Sequence, residues 1–177
     1  MARIFLISMM VAFSVFDVLA QQQLPNPGFE AWEKSGKELE PTDWNSLMSA
    51  DMCTFCSLGA SQRVFKEKHG LTGKGNCIRI ESTSAIGGII VNGSVTTGRV
   101  TAPSIRPSDG YNRTVASTDE FSLRFMDRPD SLVFWAKYSI TDRSDSALAS
   151  FLIHGNNEMT DPSKFSKPIK PLAVARI

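Results

Sequence analysis

The most reactive side chains in this sequence are three cysteines, Cys53, Cys56 and Cys77. Cys53-Thr54-Phe55-Cys56 has the spacing of half a zinc site or of a dithiol–disulfide couple. Zinc needs two further ligands, and the only histidines are His69 and His154. In an oxidising compartment the favoured expectation is a disulfide from Cys53 or Cys56 to Cys77, which leaves one cysteine odd. Plain buried thiols are the next alternative, and metal or redox chemistry at the C-x-x-C pair the third.

A second chemistry is the recognition of sugar rings. An aromatic face packs on the C–H face of a pyranose while amide, carboxylate and guanidinium groups bond the hydroxyls. The residues able to do this are Trp32, Trp44, Trp135 and Tyr138. Trp32 and Trp44 lie near Phe29 and Pro41 and are expected to be core filler, because Trp is usually mostly buried. Trp135 alternates with Phe134 and shares a strand face with Val133 and Lys137, whereas Phe134 and Tyr138 share the other. If one face is core and one open, Trp135 and Lys137 fall on the open face. Trp135, Lys137 and Tyr138 are therefore the candidate carbohydrate-binding residues.

Hydrolysis would be a third chemistry, and the acid pattern argues against it. A glycoside hydrolase sets two carboxyl groups across the scissile bond, roughly 5 to 10 Å apart. Most acids here, including Asp109, Asp119, Glu120, Asp127 and Asp130, fall in turn-forming stretches. Glu81, beside Arg79 on a strand, suits a cross-strand ion pair better than catalysis. Neither histidine lies in a nucleophile pattern, so the expectation is a protein without catalytic residues.

The elements that must hold these residues are strands. Ile78 and Ile80 alternate with Arg79 and Glu81; Phe121, Leu123 and Phe125 with Ser122 and Arg124; Leu132, Phe134, Ala136 and Tyr138 with Val133, Trp135 and Lys137. Period two of this kind means two-faced strands. Residues 86–91 and 94–102, rich in Ile, Val and Thr, also suit sheet. Between them lie turn compositions such as Gly70–Asn76, Pro107–Gly110 and Asp127–Asp130. Strands spaced by loops without helical spacers indicate an all-β fold, a β-sandwich or jelly roll. Residues 103–120 and 156–171 read as long loops. Leu172–Ile177 begins another strand, whose partner would be expected to follow, so the last strands of the fold are expected to be missing.

Composition narrows the setting. The chain has 177 residues with 42% hydrophobic and 21% charged, which allows one globular domain. A formal net charge of +1, without a basic block, excludes the electrostatic footprint of a nucleic-acid binder. Residues 1–20 combine Arg3, an apolar run from Ile4 to Phe16 and the small-residue end Val18-Leu19-Ala20, the pattern of a cleaved secretory signal. Residues 21–177 then form the single domain, exported to the periplasm, cell surface or medium. No later stretch approaches the roughly 20 apolar residues that span a bilayer.

Leu24-Pro25-Asn26-Pro27-Gly28-Phe29-Glu30-Ala31-Trp32, followed by Pro41-Thr42-Asp43-Trp44, resembles the N-x-G-F-E-x-W and P-x-x-W opening of secreted carbohydrate-binding jelly rolls with a galactose-binding-like fold. Residues 125–138, running Phe125-Met126-Asp127-Arg128-Pro129 into Phe134-Trp135-Ala136-Lys137-Tyr138, with Asp145-Ser146-Ala147, are similar to the carbohydrate metabolism domain (PCMD) family of exported Gram-negative proteins. Asp127 and Ser144 replace two of that family's glycines. The resemblance implies a β-sandwich that binds or processes polysaccharide or oligosaccharide. It also implies that Glu30 helps hold a structural calcium ion together with a carboxylate from the final strand, and no other cofactor. One Glu alone is not a calcium site, since Ca²⁺ takes six to eight oxygens. The reading is an exported, non-catalytic carbohydrate-binding module. Part of a glycan-active hydrolase, and a structural spacer or adhesion module, are the alternatives.

Overall fold

The computed structural model describes residues 22–33, 40–139, 146–164, 166 and 169–177. The expected signal segment at residues 1–20 and Asp145 lie outside the described residues. Of the described residues 10% are helical and 26% in strand, so the chain is β-rich with almost no helix.

The best-formed unit is a hairpin. Strands β2 (Val64–Lys68) and β3 (Asn76–Ile80) pair antiparallel, with Val64 opposite Ile80 and Lys68 opposite Asn76. Residues 69–75 join them through three left-handed positions, His69 (φ 68°), Gly73 (φ 76°) and Gly75 (φ 70°). Glycine takes that conformation without steric cost, which is why the loop is glycine-rich. Val64 is fully buried and anchors the hairpin.

A four-stranded sheet gathers distant parts of the chain. Its order is β1 (Asp51–Met52), β6 (Arg99–Ala102), β7 (Tyr111–Arg113) and β9 (Thr160–Asp161). β1 runs parallel to β6, and the other pairs are antiparallel. Gly98 lets the turn before β6 approach β7: a Cβ there would lie 2.5 Å from the Arg113 carbonyl oxygen. Between β1 and β2 sits a short helix, α1 (Thr54–Gly59). Two small strand pairs lie beside these units in the sequence order. β4 (Thr83–Ser84) meets β5 (Ile90–Val91) around Gly87 and Gly88, both at positive φ, and β8 (Ser150–Ile153) meets β10 (Ala173–Arg176).

Among the described residues the buried large apolar side chains are Leu47, Val64, Val100, Phe121 and Met159. Phe121 is covered by the Arg99 guanidinium, 4.9 Å above its ring centroid, a cation–π contact. Surface pairs tie the outer strands to the sheet. Arg113 meets Asp51 at 2.9 Å, and Arg176 meets Asp161 at 2.7 Å.

Several expectations change. The alternating stretch 132–138 forms no strand ladder; residues 131–139 are all exposed and unladdered. A strand needs a neighbour's backbone groups. The adjacent β8 takes β10 as its partner, and its Phe151 ring meets that of Phe134 with centroids 6.4 Å apart. Phe121–Phe125 likewise is no strand: Asp119–Phe121 is a 3-10 turn that buries Phe121. The expected loops 103–120 and 156–171 contain β7 and β9. The partner of the last strand precedes it in sequence: β10 pairs with β8 from Ala173 opposite Ile153 to Arg176 opposite Ser150.

Candidate functional site

The stretch that carries the candidate sugar-binding residues is open on both sides. Trp135 is 76% exposed, Tyr138 51% and Phe134 43%, and Lys137 is exposed. Alternation alone predicts one closed face; here residues of both faces are exposed, and Phe134 leans on Phe151 of β8. Trp135, Lys137 and Tyr138 therefore lie within four residues of one another along the chain, just after Leu132 and Val133, and all five are exposed. Chemically this is an apolar strip with a cationic hydrogen-bond donor, suited to a ring whose faces are C–H and whose rim is hydroxyl.

The opening segment is built differently. Trp44 Nε1 donates to the Pro25 carbonyl at 2.9 Å, and its ring meets Phe29 with centroids 5.3 Å apart. Trp32 Nε1 donates to the Phe29 carbonyl at 2.7 Å, and Trp32 bridges Pro41. Both tryptophans are half-buried rather than sealed in the core. The Asn26 side chain holds the segment closed: its amide donates to the Ala31 and Thr42 carbonyls, and its oxygen accepts from Ala31 N–H.

Glu30 has a role that its calcium reading did not anticipate. One carboxylate oxygen accepts from the Asn76 backbone N–H at 2.9 Å, the other from the Asn76 side-chain amide at 2.7 Å. The carboxylate thus latches the opening segment to the β2–β3 hairpin. Gly75 leaves room for it, since a Cβ at Gly75 would collide with the Glu30 carboxylate. Among the described residues no group of three His, Cys, Asp or Glu side chains is placed to hold a metal.

Sequence reading did not bring the loop acids together, and the fold does. Glu33, Asp43, Asp119 and Glu120 line one pocket of about 210 Å³ alongside Trp44 and Asn45. Asn45 is buried and its amide donates to the Glu120 carbonyl at 2.8 Å, which holds that wall. The only sequence signal was that acids directly precede Trp44 and Phe121, the two aromatics that anchor these loops.

The remaining reactive groups are engaged. Glu81 is ion-paired with Arg79, which also meets Glu67 at 3.0 Å and lies 4.5 Å above the Phe65 ring centroid. His154 contacts Thr114 Oγ1 and the Gly155 carbonyl, each at 2.8 Å, and His69 contacts the Gly73 carbonyl at 3.3 Å.

The cysteine expectation is corrected. Cys53 is bonded to Cys56, with Cα atoms 5.0 Å apart, and Cys77 is a free, half-buried thiol on β3. Three residues of separation at the start of α1 bring these two sulfurs together with little loop entropy to lose. Cys77 instead sits in the ladder opposite Glu67. No family model matches the chain, and no curated protein or solved structure shows significant similarity to it.

Proposed function

We propose that this chain is a non-catalytic carbohydrate-binding module of the galactose-binding-like jelly-roll type, carried on an exported protein and akin to the carbohydrate metabolism domain family. The sugar ring stacks on Trp135, with Lys137 donating to its hydroxyls and Tyr138 extending the contact to a neighbouring unit. The observation that carries this reading is the 76% exposure of the Trp135 indole beside an exposed lysine and tyrosine. A folded protein does not usually leave so large an apolar face, with its neighbours Val133 and Phe134, in water without use.

The test is retention on immobilised polysaccharides across a glycan panel, repeated with Trp135→Ala and with a calcium chelator. Saturable retention on one glycan, lost in Trp135→Ala and unchanged by the chelator, is the expected outcome. Absence of retention on every glycan, or retention indifferent to Trp135, overturns the proposal.

The acid-lined pocket beside Trp44 favours one second reading, a glycan-active hydrolase using a pair among Glu33, Asp43, Asp119 and Glu120. New reducing ends released from the same polysaccharides, and lost when these acids become amides, would establish it.

A further inference from the structure

We propose that Cys53–Cys56 is an exchangeable disulfide that passes oxidising equivalents to a dithiol, rather than a structural staple. The bond closes a ring of only four residues at the start of α1 and links no two elements of the fold. Disulfides stabilise chiefly by restricting the unfolded chain, and the effect grows with loop length, so a ring this short restrains little. The local structure is already held without it. Cys53 N–H donates to the Ala102 carbonyl of β6 at 2.9 Å, and Ser57 N–H donates to the Cys53 carbonyl at 3.1 Å. Ser57 Oγ also donates to the Thr54 carbonyl at 2.7 Å.

Two further features suit exchange. Both cysteines are half-buried rather than sealed, and the residues around them, Phe55 (76% exposed) and Leu58 (71% exposed), present an apolar approach surface. The Cys56 backbone N–H donates to Cys53 Sγ at 3.1 Å. That donor stabilises a negative charge on Cys53 more than on a solvated thiol, which makes Cys53 the better leaving group.

The step is then as follows. A thiolate of the incoming dithiol attacks Cys56 Sγ, the Cys53–Cys56 bond breaks, and its electron pair goes to Cys53, leaving as a thiolate under the Cys56 N–H. The second thiol of the substrate, deprotonated, attacks the substrate sulfur of the mixed disulfide and releases Cys56. Two electrons and two protons move from the dithiol to Cys53 and Cys56, and the substrate leaves as a disulfide. The dithiol can be small or borne on a polypeptide, and the exposed Phe55 favours the polypeptide.

The experiment uses the full chain in buffers of reduced and oxidised glutathione, with acid quenching, alkylation and mass measurement. The expected result is a reversible transition in which Cys53 and Cys56 gain label together while circular dichroism is unchanged. A bond that stays closed in a large excess of reduced glutathione, or that reduces only as the fold is lost, overturns the proposal. Stopped-flow exchange with dithiothreitol and with an unfolded polypeptide bearing two reduced cysteines separates the sources. Phe55→Ser is expected to slow the polypeptide reaction about threefold or more and leave the dithiothreitol rate unchanged. Equal rates in both arms overturn the preference for a polypeptide. In Cys56→Ser the Cys53 thiol, keeping the same backbone donor, is expected to alkylate at least about threefold faster than Cys77; a rate equal to or below that of Cys77 removes the assigned leaving group.

Discussion

The opening segment and the stretch from Leu132 to Tyr138 both concentrate aromatic residues, and they use them in opposite ways. In the opening segment each indole N–H is satisfied internally: Trp32 at the Phe29 carbonyl, 2.7 Å, and Trp44 at the Pro25 carbonyl, 2.9 Å. The Trp44 ring meets that of Phe29, the Trp32 backbone forms a β-bridge with Pro41, and Glu30 clips the segment to Asn76. In the later stretch the backbone joins no ladder, and Trp135 is 76% exposed. An aromatic whose polar tip is already paired inside the fold contributes to stability. One left open contributes to binding, because its apolar area is still available to be covered. Substitutions in the two regions should therefore separate stability from ligand retention.

The largest stability loss is expected from Trp44→Ala. It removes the Phe29 contact, the bond to Pro25 and one wall of the acid-lined pocket. For a half-buried ring the cost should be about 2–4 kcal/mol, below or at the low end of the range for fully buried aromatics. Chemical denaturation measures it, and polysaccharide retention should fall only as the folded fraction falls. A loss within about 0.5 kcal/mol would remove the distinction between the two regions.

Next comes Gly75→Ala. The residue sits at φ 70°, and its Cβ would collide with the Glu30 carboxylate. The strain and the broken latch together should cost about 1–3 kcal/mol. Glu30→Ala removes the latch alone, two bonds to Asn76 at an exposed position, and should cost about 1 kcal/mol. If the Glu30 effect equals that of Gly75, the latch accounts for all of it. If adding calcium stabilises the parent and not Glu30→Ala, then Glu30 also serves a metal.

What the sequence makes legible follows the length scale of the signal. The β3 strand is readable because Ile78 and Ile80 alternate cleanly with Arg79 and Glu81, and the Gly-rich loop before it announces a turn. Its partner β2 is not, because Val64-Phe65-Lys66-Glu67-Lys68 puts apolar residues next to each other and lysines on the face of Val64. β7 and β9, three and two residues long, are too short to carry any period, so their loops look featureless. The reverse failure occurs at 132–138, where alternation is clear but a strand is defined by its neighbour, and β8 is paired elsewhere. That alternation puts Trp135 and Lys137 on one face and Tyr138 on the other, and all three are exposed. The pocket acids could not be grouped beforehand, since Glu33 and Glu120 meet only through long-range loop packing. The disulfide pairing is not legible, because spacing alone does not rank the four-residue ring Cys53–Cys56 against a link to Cys77 on β3.

The smallest expected change in stability sharpens the comparison most. Trp135→Ala removes a side chain 76% exposed to water, with no hydrogen bond to the backbone comparable to those of Trp32 and Trp44 among the described residues. Its effect on unfolding should stay within about 0.5 kcal/mol, the range of surface substitutions away from special features. Retention on the cognate glycan should nonetheless fall tenfold or more, since loss of a stacking platform worth about 1.5 kcal/mol is a factor of roughly ten in affinity. Lys137→Ala should weaken retention less, because an exposed ammonium exchanges bonds to water for bonds to hydroxyls at little net gain. Were Trp135→Ala to cost as much stability as Trp44→Ala, the open stretch would be part of the folded framework after all, and the binding role would have to move to the acid-lined pocket beside Trp44.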